Sequence, residues 1–324
     1  MKPQYIGLVG DIGGTNARFA LIDQHRHIRY PRTFPAKDYE SLAAVIADYL
    51  KTTAGGRHPP LAVIAVAGPV VDGEIEFTNL HWRVSEVDLL AAFSFESVSL
   101  INDFAAQALA APRLSRDDLT VLGPRLKGAD NAPIVVLGAG TGFGVAGLAR
   151  SPRGEITVAT EGGHAAFAPY DELEVEVWRR LSAIHGRVSI ERLLSGRGLF
   201  ELYRAMAAIQ GAPAPWEDEK AVFAAGEAGD PLAAATLDRF CAILGGVAGD
   251  LALAFGARGG VYVSGGIAPR MIDRLNGGGF RARFEDKGRL SDYVRDIPTS
   301  LITHPYAAMV GAARELEQME SLHL

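Results

Sequence analysis

Two short apolar runs in this chain each break into a glycine-rich loop. Ile6 to Val9 leads into Gly10-Asp11-Ile12-Gly13-Gly14-Thr15-Asn16, and Ile134 to Leu137 leads into Gly138-Ala139-Gly140-Thr141-Gly142-Phe143-Gly144. Beyond the first loop Arg18 to Ile22 alternates at strand period; beyond the second, Val145 to Ala149 and Ile156 to Ala159 form a hairpin around Pro152-Arg153-Gly154. The two openings align with an offset of 128 residues between Ile6 and Ile134. The chain therefore reads as two related α/β halves.

The rest of the pattern fits that division. A third strand, Ile28 to Phe34, follows a polar turn at Gln24 to His27, where His25 and His27 are expected to be exposed. Leu42, Val45, Ile46, Tyr49 and Leu50 recur at helical spacing, and Leu61 to Val66 is a buried-type strand. A hairpin is expected around Val71-Asp72-Gly73-Glu74, and Ser85-Glu86-Val87-Asp88 has the Ser-x-x-Asp pattern of a capping box. Val98 to Ile101 is a strand with Asn102-Asp103 at its carboxyl end, ahead of a helix from Phe104 to Ala111. The second half is richer in helix: Leu173 to His185, Leu199 to Gln210 and Leu232 to Phe255. A last strand, Val261 to Ser264, enters a third glycine turn at Gly265-Gly266. The terminal helix, Tyr306 to Met319, must cover a sheet face with Met309, Ala313 and Leu316. Ala111-Pro112-Arg113 is the expected hinge between the halves.

Composition bounds the function. A length of 324 residues suits two domains, and 48% hydrophobic with 22% charged residues excludes disorder. Lys and Arg number 32 against 38 Asp and Glu, a net charge of −6, which excludes the basic profile of a general nucleic-acid binder. The single cysteine, Cys241, excludes an intramolecular disulfide and a multi-cysteine metal site. It falls in the helical pattern Leu237, Phe240, Cys241, Leu244, as a buried small hydrophobe would. No basic-then-apolar leader opens the sequence, and no apolar stretch is expected to reach the roughly 20 residues of a membrane span. The expectation is a soluble cytoplasmic protein with no nucleic-acid or membrane partner. Glycine is in excess, 37 residues, and clustered in the loops above and at Gly162-Gly163, where backbone would approach a ligand.

In the first loop Gly10, Gly13 and Gly14 allow a tight turn with amide hydrogens aimed at an anion, and Thr15 and Asn16 add donors. Glycines alone favour a plain hairpin turn. Asp11 shifts the balance, because a carboxylate beside a phosphate calls for a divalent cation between them and so reads as a Mg²⁺ ligand. Ala139 stands at the equivalent place in the second loop, so only one copy handles metal. Two such loops facing each other across a cleft would hold an oligophosphate at both ends. Gly142-x-Gly144-x-x-Gly147 matches the dinucleotide fingerprint, but a strand and not a helix follows it, and no Gly-x4-Gly-Lys-Ser/Thr occurs. Asp103, at a strand's carboxyl end, is placed to take the proton of an attacking hydroxyl, or to cap the next helix, or both. Glu161-Gly162-Gly163-His164 and Glu191 offer the carboxylates and imidazole that a polyhydroxylated ligand requires.

Taken in order, Gly10-Asp-Ile-Gly-Gly-Thr-Asn, Thr78-Asn-Leu-His-Trp82, Ile101-Asn-Asp-Phe104, Gly138 to Gly144, Glu161-Gly-Gly-His164, Glu191-Arg-Leu-Leu-Ser-Gly196, Ser264-Gly-Gly-Ile267 and Phe284-Glu-Asp-Lys-Gly-Arg289 resemble the bacterial ATP-dependent glucokinase family. That family lies within the actin-like, hexokinase and sugar-kinase superfamily. The resemblance implies two actin-like (ribonuclease H-like) α/β domains with mixed sheets flanked by helices, residues 1–111 plus 305–324 and residues 112–304, with the active-site cleft between them. It implies transfer of the γ-phosphoryl of MgATP to the 6-hydroxyl of glucose, commonly by a homodimer. By the same resemblance Asn102, Asp103, Glu161, His164 and Glu191 hold the sugar, with Asp103 as base. Gly10, Asp11, Ile12, Gly13, Gly14, Thr15, Asn16, Gly140, Thr141 and Gly142 handle the phosphates, and Gly265 and Gly266 lie near adenosine.

Two departures matter. The related ROK kinases and repressors carry a cysteine-rich zinc motif after their Glu-x-Gly-His segment, and this chain does not. Ala139 replaces a proline found in some members, which should leave the second loop more flexible. The stretch Gly211 to Asp230 matches no motif. A kinase for fructose, mannose or an amino sugar, and a sugar- or nucleotide-sensing switch on the same fold, are the competing readings; a switch does not need Asp103, Glu161, His164 and Glu191 together.

Overall fold

The computed structural model describes residues 5–56, 58–77, 80–152 and 154–322; Thr78 and Asn79 of one motif, and Arg153 at the tip of the second hairpin, lie outside the described residues. The chain divides into two compact units, Met1–Ser115 with His304–Leu324, and Arg116–Thr303. The expected hinge, Ala111-Pro112-Arg113, is instead a 3-10 turn that continues the preceding helix with Ala111 buried, so the chain leaves the first unit only after Ser115.

In the first unit β1 (Tyr5–Ile12), β2 (Asn16–Asp23) and β3 (Ile28–Pro35) form an antiparallel meander. β4 (Leu61–Val66) and β7 (Ser97–Asn102) extend the sheet in parallel from β1, giving the order β3-β2-β1-β4-β7. Helix α1 (Leu42–Thr53) connects β3 to β4, and a small hairpin, β5 (Glu74–Glu76) with β6 (Arg83–Ser85), followed by helix α2 (Glu86–Phe93), connects β4 to β7. Ser41 caps α1 by accepting from the Ala44 N–H at 3.1 Å, and Ser85 caps α2. The Glu86 carboxylate turns to the Leu100 N–H at 2.7 Å. One face of the sheet buries Leu8, Ile12, Phe19 and Ile64 against Val45, Ile46 and Tyr49 of α1. The other buries Val9, Ala20, Ile22 and Val63 under Met309, Ala312 and Leu316 of the terminal helix α11 (Ala307–Leu322), as its apolar stripe required. α11 also crosses α3 (Asp103–Ala110), and at Gly311 a Cβ would collide with the Ala106 carbonyl oxygen.

The second unit repeats the plan. β9 (Ile134–Ala139), β10 (Phe143–Ser151) and β11 (Gly154–Thr160) form the meander, β12 (Gly260–Ser264) and β13 (Thr299–Ile302) run parallel to β9, and β8 (Leu119–Val121) closes the edge. The order β11-β10-β9-β12-β13-β8 is that of the first sheet with one strand added, so the repeat seen in sequence is a repeat of topology. Both units are the mixed, helix-flanked sheets of the actin-like fold. Ala139, expected in a flexible loop, is the buried last residue of β9.

Helices α4 (Glu172–His185), α5 (Gly196–Gln210), α6 (Glu219–Glu227), α7 (Pro231–Phe255), α8 (Ile272–Asn276), α9 (Gly279–Glu285) and α10 (Ser291–Arg295) cover this sheet. By length and composition α7 is long and apolar enough to cross a membrane, contrary to the sequence expectation, yet 67% of its most apolar window is buried. Its Gly245 and Gly249 admit the Phe280 and Phe284 carbonyls of α9, and Cys241 is buried with its Sγ 3.8 Å from Met271 Sδ. Burial pushes that thiol up to about 12. The Phe284 to Arg289 motif is an anchor: Asp286 accepts from the Tyr170 hydroxyl, while Lys287 Nζ meets Asp250 Oδ1 at 2.7 Å and donates to the Gly246 carbonyl at 2.9 Å. The fully buried Glu174 accepts from Arg239 at 3.0 Å, Arg283 at 2.7 Å and the Tyr170 N–H at 2.9 Å, which ties the start of α4 to α7 and α9.

Gly311→Ala should separate α11 from α3, at a cost of about 1–3 kcal/mol as for other overpacked sites. The expected readout is a lower denaturant midpoint; an unchanged midpoint would show that the crossing accommodates a methyl group.

Candidate active site

The parallel strands of the first unit end together. Ile12 pairs in register with Val66 and Val66 with Asn102, so the first glycine loop and Asn102-Asp103 lie at one edge of one sheet. The loop is shorter than the sequence suggested. Gly10, Asp11 and Ile12 belong to β1 and Asn16 to β2, leaving Gly13, Gly14 and Thr15 as the turn, with Gly14 and Thr15 exposed. The Gly13 N–H closes it on the Asn16 carbonyl at 2.9 Å, and the Thr15 carbonyl accepts from the Ala36 N–H at 2.9 Å. Gly10 is bare for packing, since a Cβ there would lie 2.9 Å from Ile64 and 3.0 Å from Phe19.

Asp11 pairs across the hairpin with Arg18, Nη1 to Oδ2 at 2.9 Å. Burial pushes its carboxyl up, against the opposing pull of the Arg18 hydrogen bond and charge. Asn102, not Asp103, is the N-cap of α3. Its Oδ1 accepts from the Phe104 and Ala105 N–H groups at 2.9 and 3.1 Å, and its Nδ2 donates to the Gly68 carbonyl at 3.2 Å. Asp103 is the half-buried first residue of the helix and accepts from the Phe104 N–H at 2.9 Å.

The second unit gathers its candidates around the loop between β9 and β10. The Gly140 N–H closes the turn on the Gly142 carbonyl at 2.8 Å. The segment 190–196 then holds both of its ends: Glu191 Oε2 accepts from the Phe143 N–H at 2.8 Å, and the Gly196 N–H, in the first turn of α5, donates to the Gly140 carbonyl at 2.9 Å. Glu161 precedes and His164 ends the 3-10 turn Gly162–His164, both side chains exposed, with His164 Nε2 4.0 Å from Glu161 Oε2. Gly163 rests on the Phe143 carbonyl, where a Cβ would collide. The Ile190 N–H donates to the Ala165 carbonyl at 3.0 Å and the Phe167 N–H to the Val188 carbonyl at 3.0 Å, so the Glu161-His164 and Glu191 segments run side by side. Gly265, at φ 86°, packs on the Ala139 carbonyl, which also accepts from the Ile267 N–H at 3.2 Å.

Beside this loop a cavity of about 430 Å³ is lined by Gly140, Thr141, Gly196, Lys220, Phe223 and Gly266, among others, including Arg197 and Arg270. Arg270 stacks over the Phe223 ring at 4.0 Å. The sequence reading missed Arg197, Lys220, Phe223 and Arg270. The only signal was Gly211 to Asp230 itself, whose later part folds as α6 and sets Lys220 and Phe223 on one wall. The surface groove at Tyr5, Asp23, Ile28, Arg29 and Tyr30 contains no candidate residue.

Among the described residues no group of three or more His, Cys, Asp or Glu side chains could cage a metal ion. Mg²⁺ bound together with a nucleotide takes one or two carboxylates along with phosphate oxygens and water. Asp11 fits such a role with one oxygen held by Arg18.

The glucokinase family model matches residues 8–319. A glucokinase from Caulobacter sp. (strain K31) is 50% identical over 311 residues, 95% of this chain and 94% of the relative. A crystal structure of glucokinase from an Antarctic psychrotroph, 41% identical, superposes with a TM-score of 0.89 over 96% of this chain and 98% of its own. The fold is shared more distantly by a ROK family glucokinase from Streptomyces griseus in complex with glucose and AMPPNP, 19% identical, TM-score 0.63, covering 96% of this chain and 99% of that one. With the family model spanning nearly its whole length, the chain belongs to the glucokinase family of ATP-dependent hexose kinases.

Proposed function

We propose that this chain uses Asp103 as the catalytic base toward the glucose 6-hydroxyl and Glu161, His164 and Glu191 as sugar ligands. One observation carries this most directly: the Glu161-His164 and Glu191 segments run side by side and meet at Phe143, Gly163 on its carbonyl and Glu191 on its N–H, directly after the 140–142 loop that lines the 430 Å³ cavity. Sugar-binding groups and a nucleotide-sized cavity thus share one small region of the second unit. A glucokinase on this fold is in complex with glucose and AMPPNP, which is consistent with that pairing.

In the proposed reaction O6 attacks the γ-phosphorus while its proton passes to an Asp103 carboxylate oxygen, and the bond from the γ-phosphorus to the bridging oxygen breaks with its electrons leaving on ADP. Asn102 acts mainly by capping α3, which fixes the helix start on which Asp103 sits. The turns Gly13 to Asn16 and Gly140 to Gly142 would receive the phosphates through backbone N–H groups other than those of Gly13 and Gly140, which close the turns themselves, and the N-terminus of α5 adds its dipole. Asp11, steadied by Arg18, would hold Mg²⁺, which when bound neutralises phosphate charge. Gly266, with Phe223 and Arg270, lines the wall offered to adenosine, and Gly265 is the turn residue that precedes it. We also assign the enzyme to the cytoplasm as a homodimer, on the family resemblance.

A coupled assay for ADP across glucose, fructose, mannose and glucosamine tests the substrate. Glucose should be preferred; sugar-independent ADP release, or preference for another hexose, would displace this reading. Asp103→Ala should lower kcat by about 10²–10⁴, the usual worth of a general base, with much less effect on glucose affinity. Turnover near that of the parent would remove Asp103 from the role. Gly163→Ala should push the 162–164 turn off the Phe143 carbonyl and raise KM for glucose more than KM for ATP; equal changes in both would place the damage elsewhere.

A further inference from the structure

Glu191 and Gly196, five positions apart in one motif, hold opposite ends of the same loop. Gly196 does so with its backbone, which any residue could supply. Glu191 does so with a side chain, and its Oε2 also lies 2.5 Å from where a Gly142 Cβ would stand. The carboxylate is therefore in contact with the loop on two counts, through the Phe143 N–H and across the face of Gly142. A carboxylate has two oxygens and about four acceptor positions, so an N–H on one oxygen leaves the other able to accept from a sugar hydroxyl.

We infer that Glu191 is a positioning residue that couples the sugar subsite to the nucleotide loop: Oε2 holds the Phe143 N–H and so the 140–142 turn, while the opposite oxygen accepts from the sugar. This rests on the sugar role proposed above for Glu191. A hydroxyl donated to Oε1 fixes the orientation of the carboxylate. The Phe143 N–H and the Gly140 to Gly142 amides are then ordered before the phosphates arrive, which lowers the entropy lost on nucleotide binding. By linkage the coupling is reciprocal, and the nucleotide tightens the sugar by the same factor. An occupied sugar site thereby favours the nucleotide-ready loop.

The test is Mg²⁺-AMPPNP binding by calorimetry, with and without saturating glucose. In the parent enzyme glucose should tighten AMPPNP several-fold, and AMPPNP should tighten glucose equally; independence of the two would overturn the coupling. Without sugar, Glu191→Ala should weaken AMPPNP about tenfold, the scale of one hydrogen bond to a charged group. A residue that only touched sugar would leave that number unchanged, and such a result would refute the proposal. Glu191→Gln keeps an amide oxygen for the Phe143 N–H and should stay within about twofold of the parent for sugar-free AMPPNP, while its glucose affinity falls. If Glu191→Gln binds sugar-free nucleotide as weakly as Glu191→Ala, the acceptor role is wrong; it also supplies the answer should Glu191→Ala not fold. Failure of the kinase reading is distinct, because it would appear as absent glucose-dependent ADP formation in the parent, with the sugar-free AMPPNP comparison still standing.

Discussion

The backbone at the end of β9 must find hydrogen-bond partners where the strand stops, and much of the second unit is arranged around that need. The Ala139 carbonyl takes the Ile267 N–H, the Gly140 carbonyl takes the Gly196 N–H, the Gly140 N–H turns back to Gly142, and the Phe143 N–H goes to Glu191. Each partner comes from a different part of the chain: the turn after β12, the start of α5, the loop itself, and the 3-10 turn before α5. Satisfying four backbone groups therefore brings together the segments that carry the candidate sugar and nucleotide residues. The first unit meets the same requirement locally, with Gly13 closed on Asn16 and Thr15 on Ala36 at the entry to the next turn. One topology has thus produced two loops of different character, one supported by its own hairpin and one supported by distant elements.

That contrast explains which parts were legible in sequence. The strands β4 and β9 are continuous apolar runs and α7 a long apolar pattern, because each is buried on more than one side. The duplication was legible because both meanders repeat the same run and loop. β8 and β13 were not legible: Leu119–Val121 and Thr299–Ile302 are short, and their strand character comes from distant pairing, β13 with β12 and β8 with β13. The loop boundaries were drawn too wide for a related reason. Gly10 and Gly138 look like turn residues, but both lie inside strands where neighbouring atoms leave no room for a side chain.

At the candidate site, residue types were legible and partners were not. Glu191 stood out as a carboxylate in a motif, yet its bond to Phe143 joins positions 48 apart and nothing in either local pattern marks it. Asn102 and Asp103 were legible as a pair at a strand end, while the division of work between them, cap and helix start, required the helix geometry. Lys220 and Phe223 were invisible because a cavity wall built from one helix face needs no motif, only a neighbour.

The glycine excess, first taken as backbone kept bare for ligand, separates into populations once each position is asked what the fold requires there. Gly7, Gly245, Gly249 and Gly311 are required by packing, since a Cβ would strike a helix side chain or carbonyl. Gly265 is required by its φ of 86°. Gly13, Gly140 and Gly266 are required by neither: the nearest heavy atom to a Cβ is 3.9 Å away at Gly13 and 4.0 Å at Gly140, nothing lies within 4 Å at Gly266, and none has positive φ. Gly279, at the start of α9 and outside every candidate motif, shares that freedom, so lack of structural demand is not by itself a mark of function. It becomes informative where it coincides with a cavity, as at Gly140 and Gly266, which both line the 430 Å³ space. A side chain at either position would be tolerated by the unit itself and would intrude on the cavity, which is what the proposed nucleotide role of Gly140 and Gly266 requires.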